Sequence, residues 1–202
     1  KWYMSCDAGF IVVDAKSKKR QKTVRSQRIK VTYSKRGFWV DNKRISGESI
    51  QIYPANTAYP ISFLDNSYSG SFTFHVRGQY AQVVNTIDIE EYVFSVLRWE
   101  SWPGWPDEVN KAFAIMCRTY VVDKVLQQRN ANKQAIFDIK STNIHQTYKG
   151  THTFAYLRRA VNSTRGIVLT YNNKPIIAMY DTCCGGVTPA HIQNVDFTKA
   201  PY

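Results

Sequence analysis

Up to residue 87 the apolar residues fall in short runs rich in β-branched and aromatic side chains, separated by basic or Gly/Asn-containing turns. GFIVVDA, QRIKVTYS, GFWVD and SIQIYP read as strands. SFTFHV alternates and sets Phe72, Phe74 and Val76 on one face; beyond Arg77, Gly78 and Gln79 the run YAQVVN reads as its hairpin partner. From Asp88 the period changes. Asp88 and Glu91 have capping-box spacing, and Tyr92, Val93, Val96 and Leu97 recur at helical intervals, which predicts a helix from about Ile89 to about Arg98 with Glu100 just past its end. SWPGWP cannot continue it, because Pro103 and Pro106 lack an N–H and Gly104 loosens the backbone between them. A second helix starts at Pro106, with Asp107 and Glu108 at its positive end and a wide apolar stripe from Val109 through Phe113, Cys117 and Tyr120 to Val125, the mark of a helix deep in a core. A polar loop runs to about Gly150, then a third helix turns Tyr156, Leu157, Ala160 and Val161 inward and closes near Gly166. GIVLTY and PIIAMY form a last hairpin that delivers Tyr180 to the turn DTCCGG. Strands, then helices, then strands indicate an α+β fold: a strand-rich N-terminal part, central helices around a proline-broken corner and a C-terminal β-hairpin.

Composition narrows the class. A chain of 202 residues with 44% hydrophobic content can bury a real core and is not disordered overall. No run approaches the roughly 18 apolar residues that span a bilayer. The first residue is Lys1 rather than a methionine, so a processed N-terminus is expected, with membrane association through a removed segment left open.

The net charge of +12 favours anionic partners. Much of it lies in one stretch: Lys16, Lys18, Lys19, Arg20, Lys22, Arg25, Arg28, Lys30, Lys35, Arg36, Lys43 and Arg44 are opposed between residues 16 and 44 only by Asp41. Nucleic acid, an anionic membrane surface and an anionic cell-wall polymer all suit such a strip, as does a plain solvated hairpin. No RNA-binding signature with a stacking platform accompanies it, so nucleic acid is not expected. Of four cysteines, Cys183 and Cys184 are adjacent, and a bridge between neighbours is strained; Cys117 falls on the apolar side of its helix, where a buried thiol is expected.

The stretch LRWESWPGW puts one carboxylate, Glu100, among Trp99, Trp102 and Trp105. On the residues alone this is either a surface acid after a helix, a salt-bridge partner for Arg118, or an acid whose proton is held by apolar surroundings, since burial against indole rings disfavours the charged form. The same rings could stack on sugar faces.

Taken in order, YSGSFTFHV, QVVNTIDIEEYVFSVLRWE, the helix ending in CRTY, HQTYKG, RGIVLTYNNKPIIAMY and CCGG resemble the sporulation protein D family of peptidoglycan lytic transglycosylases, from about Tyr68 to Tyr202. The resemblance divides the chain into a basic, strand-rich segment, 1–66, and a transglycosylase-like domain, 67–202, whose helices surround a catalytic corner. It implies cleavage of the glycan between N-acetylmuramic acid and N-acetylglucosamine to leave a 1,6-anhydro end, on strands stripped of stem peptides by a partner amidase, outside the cytoplasmic membrane. The family's glutamate falls on Glu100 and a tyrosine implicated in some members falls on Tyr180; these are the expected catalytic residues. Gln146, Tyr148, Trp102 and Arg118 are expected to bind substrate, the first two from the Gln-x-Tyr-x-Gly signature, while on its residues alone Arg118 reads as a buried structural pair with a nearby acid. One glutamate suffices for this chemistry, because the sugar's own 6-hydroxyl is the nucleophile and the same group can act as acid and then base.

Three departures stand out. Ser101, Trp102 and Pro103 replace the small turn that usually follows the glutamate, and Asp181 stands at a position usually held by histidine. Some relatives hold zinc with two cysteines and a histidine near this loop; here His145 has no cysteine beside it, and Cys183, Cys184 and His191 lack zinc-motif spacing, so neither metal nor cofactor is expected. These departures motivate an alternative, a catalytically inactive glycan-binding scaffold.

Overall fold

A computed structural model of the chain describes residues 1–34, 36–180, 185, 186, 190–192, 195, 196 and 198. Asp181, Cys183 and Cys184 lie outside them. The strands β1 (Trp2–Ser5), β2 (Phe10–Asp14), β3 (Arg20–Val24), β4 (Arg28–Ser34), β5 (Gly37–Val40), β6 (Lys43–Ile45), β7 (Ser49–Pro54), β8 (Ile61–Phe63), β9 (Asn66–Tyr68), β10 (Ser71–Arg77) and β11 (Tyr80–Thr86) come first. They pair antiparallel in two sheets, ordered β6-β5-β4-β1-β8-β9 and β11-β10-β7-β2-β3. Alternation assigns the inner faces: Val31, Phe38, Val40 and Ile45 from one sheet meet Phe10, Val12, Ile50, Ile52, Phe72 and Phe74 from the other in a single core. The Phe74 ring sits at its centre, edge-on to Trp2 at 5.3 Å, Phe38 at 6.3 Å and Phe63 at 6.5 Å.

The predicted runs correspond to β2, β4, β5, β7, β10 and β11. The shorter strands carry weaker patterns. Arg20–Val24 reads as a basic turn, yet it is the edge strand β3, paired with β2, where long cations keep an exposed edge soluble. Edge strand β3 reaches the other sheet where Gln21 Oε1 accepts from Ser46 Oγ, just past β6, at 2.9 Å and Lys22 Nζ donates to the Val40 carbonyl at the end of β5 at 3.2 Å.

Helix α1 (Ile89–Glu100) starts where expected, with Asp88 Oδ1 accepting from the Glu90 and Glu91 N–H groups at 2.8 and 3.4 Å. Only half of a capping box forms, because the Glu91 carboxylate turns instead to the Arg158 guanidinium. The helix runs on to Glu100, making it the last helical residue rather than one beyond the end; both the N–H and the hydroxyl of Ser101 return to the Leu97 carbonyl and close the final turn. Helix α2 (Asp107–Ala131) and α3 (Ala155–Ser163) follow, then a short hairpin of β12 (Thr170–Tyr171) and β13 (Lys174–Pro175), turned by Asn172 and Asn173 at φ 48° and 60°. This C-terminal hairpin has two residues per strand, shorter than its apolar runs suggest. Strands β14 (His191–Ile192) and β15 (Val195–Asp196) form another. None of the described helices is long and apolar enough to cross a membrane.

The helices share a second core around Val93, Val96, Leu97, Phe113, Cys117, Leu157 and Val161. Arg118 crosses it. The side chain is 1% exposed and forks onto Glu90, Nε to Oε1 at 3.0 Å and Nη2 to Oε2 at 2.7 Å, while Nη1 donates to the Ile167 carbonyl at 3.1 Å. Gly166 N–H also donates to Glu90 Oε1 at 3.1 Å. This corrects the substrate-binding role expected for Arg118: every face of the guanidinium is spent on α1, on α2 and on the chain after α3. Arg118→Met should cost about 3–5 kcal/mol in urea unfolding, because Glu90 is left charged and unpaired, and the double change with Glu90→Leu should recover most of it. Equal loss in the single and double variants would show that the pair is not what Arg118 supplies.

Candidate active site

The corner after α1 is built from main-chain constraints. Pro103 and Pro106 prevent helix, Gly104 takes φ 86°, and Trp105 N–H closes a turn on the Trp102 carbonyl at 3.4 Å. Fully buried Asn110 reaches back from α2, its Nδ2 donating to the Trp105 carbonyl at 2.9 Å and to that of Pro106 at 3.2 Å. Glu100 is therefore held between a closed helical turn and a pinned corner, at the edge of a pocket of about 490 Å³.

Aromatic rings supply much of the wall. Trp102, 62% exposed, stands at the rim, and Trp105 packs edge-on to Phe113 with ring centres 5.6 Å apart. Phe113 meets Tyr180 at 4.9 Å, and Tyr180 meets Tyr120 at 6.4 Å. Trp99 does not take part: it lies exposed under the Lys149 ammonium at 4.4 Å, with Arg98 at 5.3 Å. The enclosing cage of three indoles expected around Glu100 is thus a pocket edged by two.

What fixes the carboxylate is a peptide group. Thr147 N–H donates to Glu100 Oε1 at 2.5 Å, and among the described residues no hydrogen bond reaches Oε2. The segment carrying that N–H is anchored on both sides. Gln146, 0% exposed, accepts from the Tyr92 hydroxyl at 3.1 Å and donates to the Cys117 carbonyl at 3.3 Å. Tyr148 stacks on Tyr92 at 5.4 Å and donates its hydroxyl to Asn85 Oδ1 at 2.5 Å. Gly150 receives the Ser95 hydroxyl on its carbonyl, and Thr151 N–H donates to the Ser67 carbonyl at 2.7 Å. Gln146 and Tyr148 are accordingly buried anchors, a correction to their expected contact with substrate.

Tyr180 lines the pocket, but its hydroxyl does not open into it. The oxygen is shielded beside the Gln146 amide and the Cys117 thiol and has no hydrogen-bond partner among the described residues. Burial, with Cys117 and Glu100 nearby, pushes this phenol well above its ordinary range, so it stays protonated. The expected catalytic use of the hydroxyl therefore finds no open path, and the ring is the part that serves the wall. Cys117 is buried as expected, its thiol also pushed up by burial.

Asn143, Ile144 and Met179, which the sequence did not point to, complete the lining with Tyr120, expected only as core, and His145, considered only as a metal ligand. His145 Nδ1 accepts from the Lys140 N–H at 3.3 Å; burial, then Lys124 and Lys140, hold its pKa below the ordinary 6.5, so the ring is mainly neutral at pH 7. Among the described residues no cluster of three or more His, Cys, Asp or Glu is placed to hold a metal.

Residues 77–171, which include Glu100 and the anchoring segment but not Tyr180, match the stage II sporulation protein family. The chain is similar to an uncharacterised protein of Brachyspira hyodysenteriae, 31% identical over 88% of this chain and 46% of the relative. It is also similar to stage II sporulation protein D of Bacillus subtilis, 34% identical over 53% of this chain and 35% of the relative, and to that of Bacillus amyloliquefaciens, 28% identical over 52% and 34%. The chain thus spans less than half the length of the curated relatives it matches. No solved structure matches. The likeness to stage II sporulation protein D thus rests on residues 77–171, the stretch that builds the corner and its anchoring segment.

Gly150 keeps the anchoring segment against β9, at φ 83° and so close to the Ser67 carbonyl oxygen that a Cβ would collide with it. Gly150→Ala should lower stability by about 1–3 kcal/mol, measured as the urea midpoint. An unchanged midpoint would show that the segment is not clamped there.

Proposed function

We propose that this chain cleaves peptidoglycan glycan strands as a lytic transglycosylase, with Glu100 as its single acid and base. The observation that carries the reading is the Thr147 N–H on Glu100 Oε1, which fixes one oxygen and leaves Oε2 for a proton, at the edge of an aromatic-walled pocket. Glu100 is the one acidic side chain among the described residues of that lining, and a single carboxylate fits an anhydro-forming reaction better than a hydrolysis, which normally takes two.

In this mechanism the protonated Glu100 gives its proton to the bridging oxygen as the muramic C1–O bond breaks. The 6-hydroxyl of the same sugar then attacks C1, and Glu100, now ionised, takes the hydroxyl proton. One C–O bond breaks and one forms; no water is consumed and the carboxyl returns to its starting state. Trp102 at the rim supplies a stacking face for a neighbouring sugar. Gln146, Tyr148 and Arg118 act through position: the first two set the height of the Thr147 N–H, and Arg118 holds α1 and α2 together beneath it. The substrate is glycan without stem peptides, supplied by an amidase, and the reaction takes place outside the cytoplasmic membrane. Both points rest on the family resemblance, as does a role in wall remodelling.

Peptide-free glycan strands incubated with the protein should yield 1,6-anhydro ends by mass spectrometry, and Glu100→Gln should lower the rate by about 10²–10⁴-fold without a change in the urea midpoint. Tyr180→Phe should keep the rate within about threefold and leave stability unchanged or slightly higher, since it removes a buried hydroxyl that has no partner. Binding without cleavage on every glycan tested would make the chain a scaffold, and a collapse of activity in Tyr180→Phe would return the phenol to the chemistry.

A further inference from the structure

The outer face of the six-stranded sheet holds a second pocket, of about 470 Å³, that shares no lining residue with the one beside Glu100. On β5, Phe38 and Val40 are fully buried, so alternation turns Trp39 outward. There it stands between Thr32 of β4 and Arg44 of β6. Lys30 lies on the same face two residues before Thr32, opposite Tyr3, which is 68% exposed. Asp41 and Asn42 close the pocket at the β5–β6 turn. The backbone groups of Lys30 and Asp41 lock this wall: Asp41 Oδ1 accepts from Lys30 N–H at 2.9 Å, and Asp41 N–H donates to the Lys30 carbonyl at 2.8 Å.

Trp39 is half-buried on this face, outside both hydrophobic cores, and makes no ring or cation contact among the described residues. A strand face open to water is ordinarily polar, so an indole here, ringed by hydroxyl, amide, carboxylate and cationic groups, has the composition of a sugar site.

We propose that this face is a second, non-catalytic carbohydrate site for a glycan chain that carries carboxylates. The Trp39 plane covers the apolar C–H face of a pyranose. Thr32, Asp41 and Asn42 bind its hydroxyls, and Lys30 in the lining, with Arg44 next to Trp39 on β6 and the basic stretch between residues 16 and 44 behind them, pairs with the acidic groups. Asp41, whose oxygens already take the Lys30 N–H and, at 3.5 Å, the Lys22 ammonium, keeps lone pairs for sugar hydroxyls and offers a phosphate chain no donor. The site does not depend on the chemistry assigned to Glu100.

The test uses the full chain with Glu100→Gln and Trp102→Ala, so that the first pocket neither cleaves nor stacks. Calorimetry should show binding of peptide-free glycan strands, which keep the muramic carboxylates, and Trp39→Ala should weaken it about tenfold, about the loss of one good contact. Lys30→Gln should weaken it less and flatten its salt dependence. A neutral chitin hexasaccharide should bind at least about tenfold more weakly than an acidic fragment of equal length, for want of charge pairing. Should Trp39→Ala disturb folding, Trp39→Tyr keeps a stacking face and should retain most of the binding. Unchanged affinity in Trp39→Ala with its fold intact overturns the proposal, as does tighter, equally Trp39-dependent binding of a single-stranded oligonucleotide. If the unaltered protein cleaves no glycan while Trp39-dependent binding persists, the transglycosylase reading falls and this one stands.

Discussion

Glu100 has a fixed position because the chain from Gln146 to Gly150 is tied down on every side of it. That short segment touches all the parts of the molecule that matter for the pocket: β11 through Asn85, α1 through Tyr92 and Ser95, α2 through the Cys117 carbonyl, and β9 through Ser67. The peptide N–H it offers to the carboxylate is thus oriented before any substrate arrives. A preset donor needs no rearrangement during reaction, which is the condition under which such a contact aids chemistry most. Beneath it, the Glu90–Arg118 fork keeps the base of α1 against α2, so that the helix ending in Glu100 and the helix starting after the corner cannot drift apart.

Much of the fold could be read from periodicity. The change from period two to period 3.6 at Asp88 marks the boundary between the two cores, and the prolines after Glu100 mark the corner, because each signal follows directly from backbone geometry. The strands that escaped notice are short or polar. Arg20–Val24 has only Val24 buried, so an edge strand there has almost no apolar signature to offer.

The site was legible in its positions but less so in its roles. The motif Gln-x-Tyr-x-Gly marks residues that matter, yet spacing cannot say which side of a wall they occupy. Burial decides it: Gln146 and Tyr148 face inward on the same side of an extended segment, as a two-residue repeat requires, and the residue between them contributes through its main chain. Any side chain can carry that N–H, so Thr147 left no trace in the sequence. An arginine within the apolar stripe of a core helix is almost always paired and enclosed, and on its residues alone Arg118 reads as such a pair; only the family motif pointed it at substrate. Tyr180 shows the converse limit: its type suggests proton chemistry, but in the structure its ring packs with Phe113 and Tyr120 and its hydroxyl is buried.

The distribution of charge gives the two halves different tasks. In the helical half several acids and bases neutralise one another at close range: Glu90 with Arg118, Glu91 with Arg158, Asp138 with Arg129. In the strand half the cations are in large excess, and among the described residues only Lys22 has an acidic partner within 4 Å, at 3.5 Å from Asp41. Unpaired cations on a rigid sheet cost solubility nothing and make a field that an acidic polymer follows. On the two proposals together, a polymer held there stays close to the second pocket, and rebinding at Glu100 becomes an intramolecular event whose effective concentration is set by the length of chain between the contacts. On that reading an aromatic pocket with one exposed tryptophan at its rim grips a single sugar weakly, so a strand-wide foothold on the other half of the molecule raises occupancy without tightening the pocket around the proposed scissile bond.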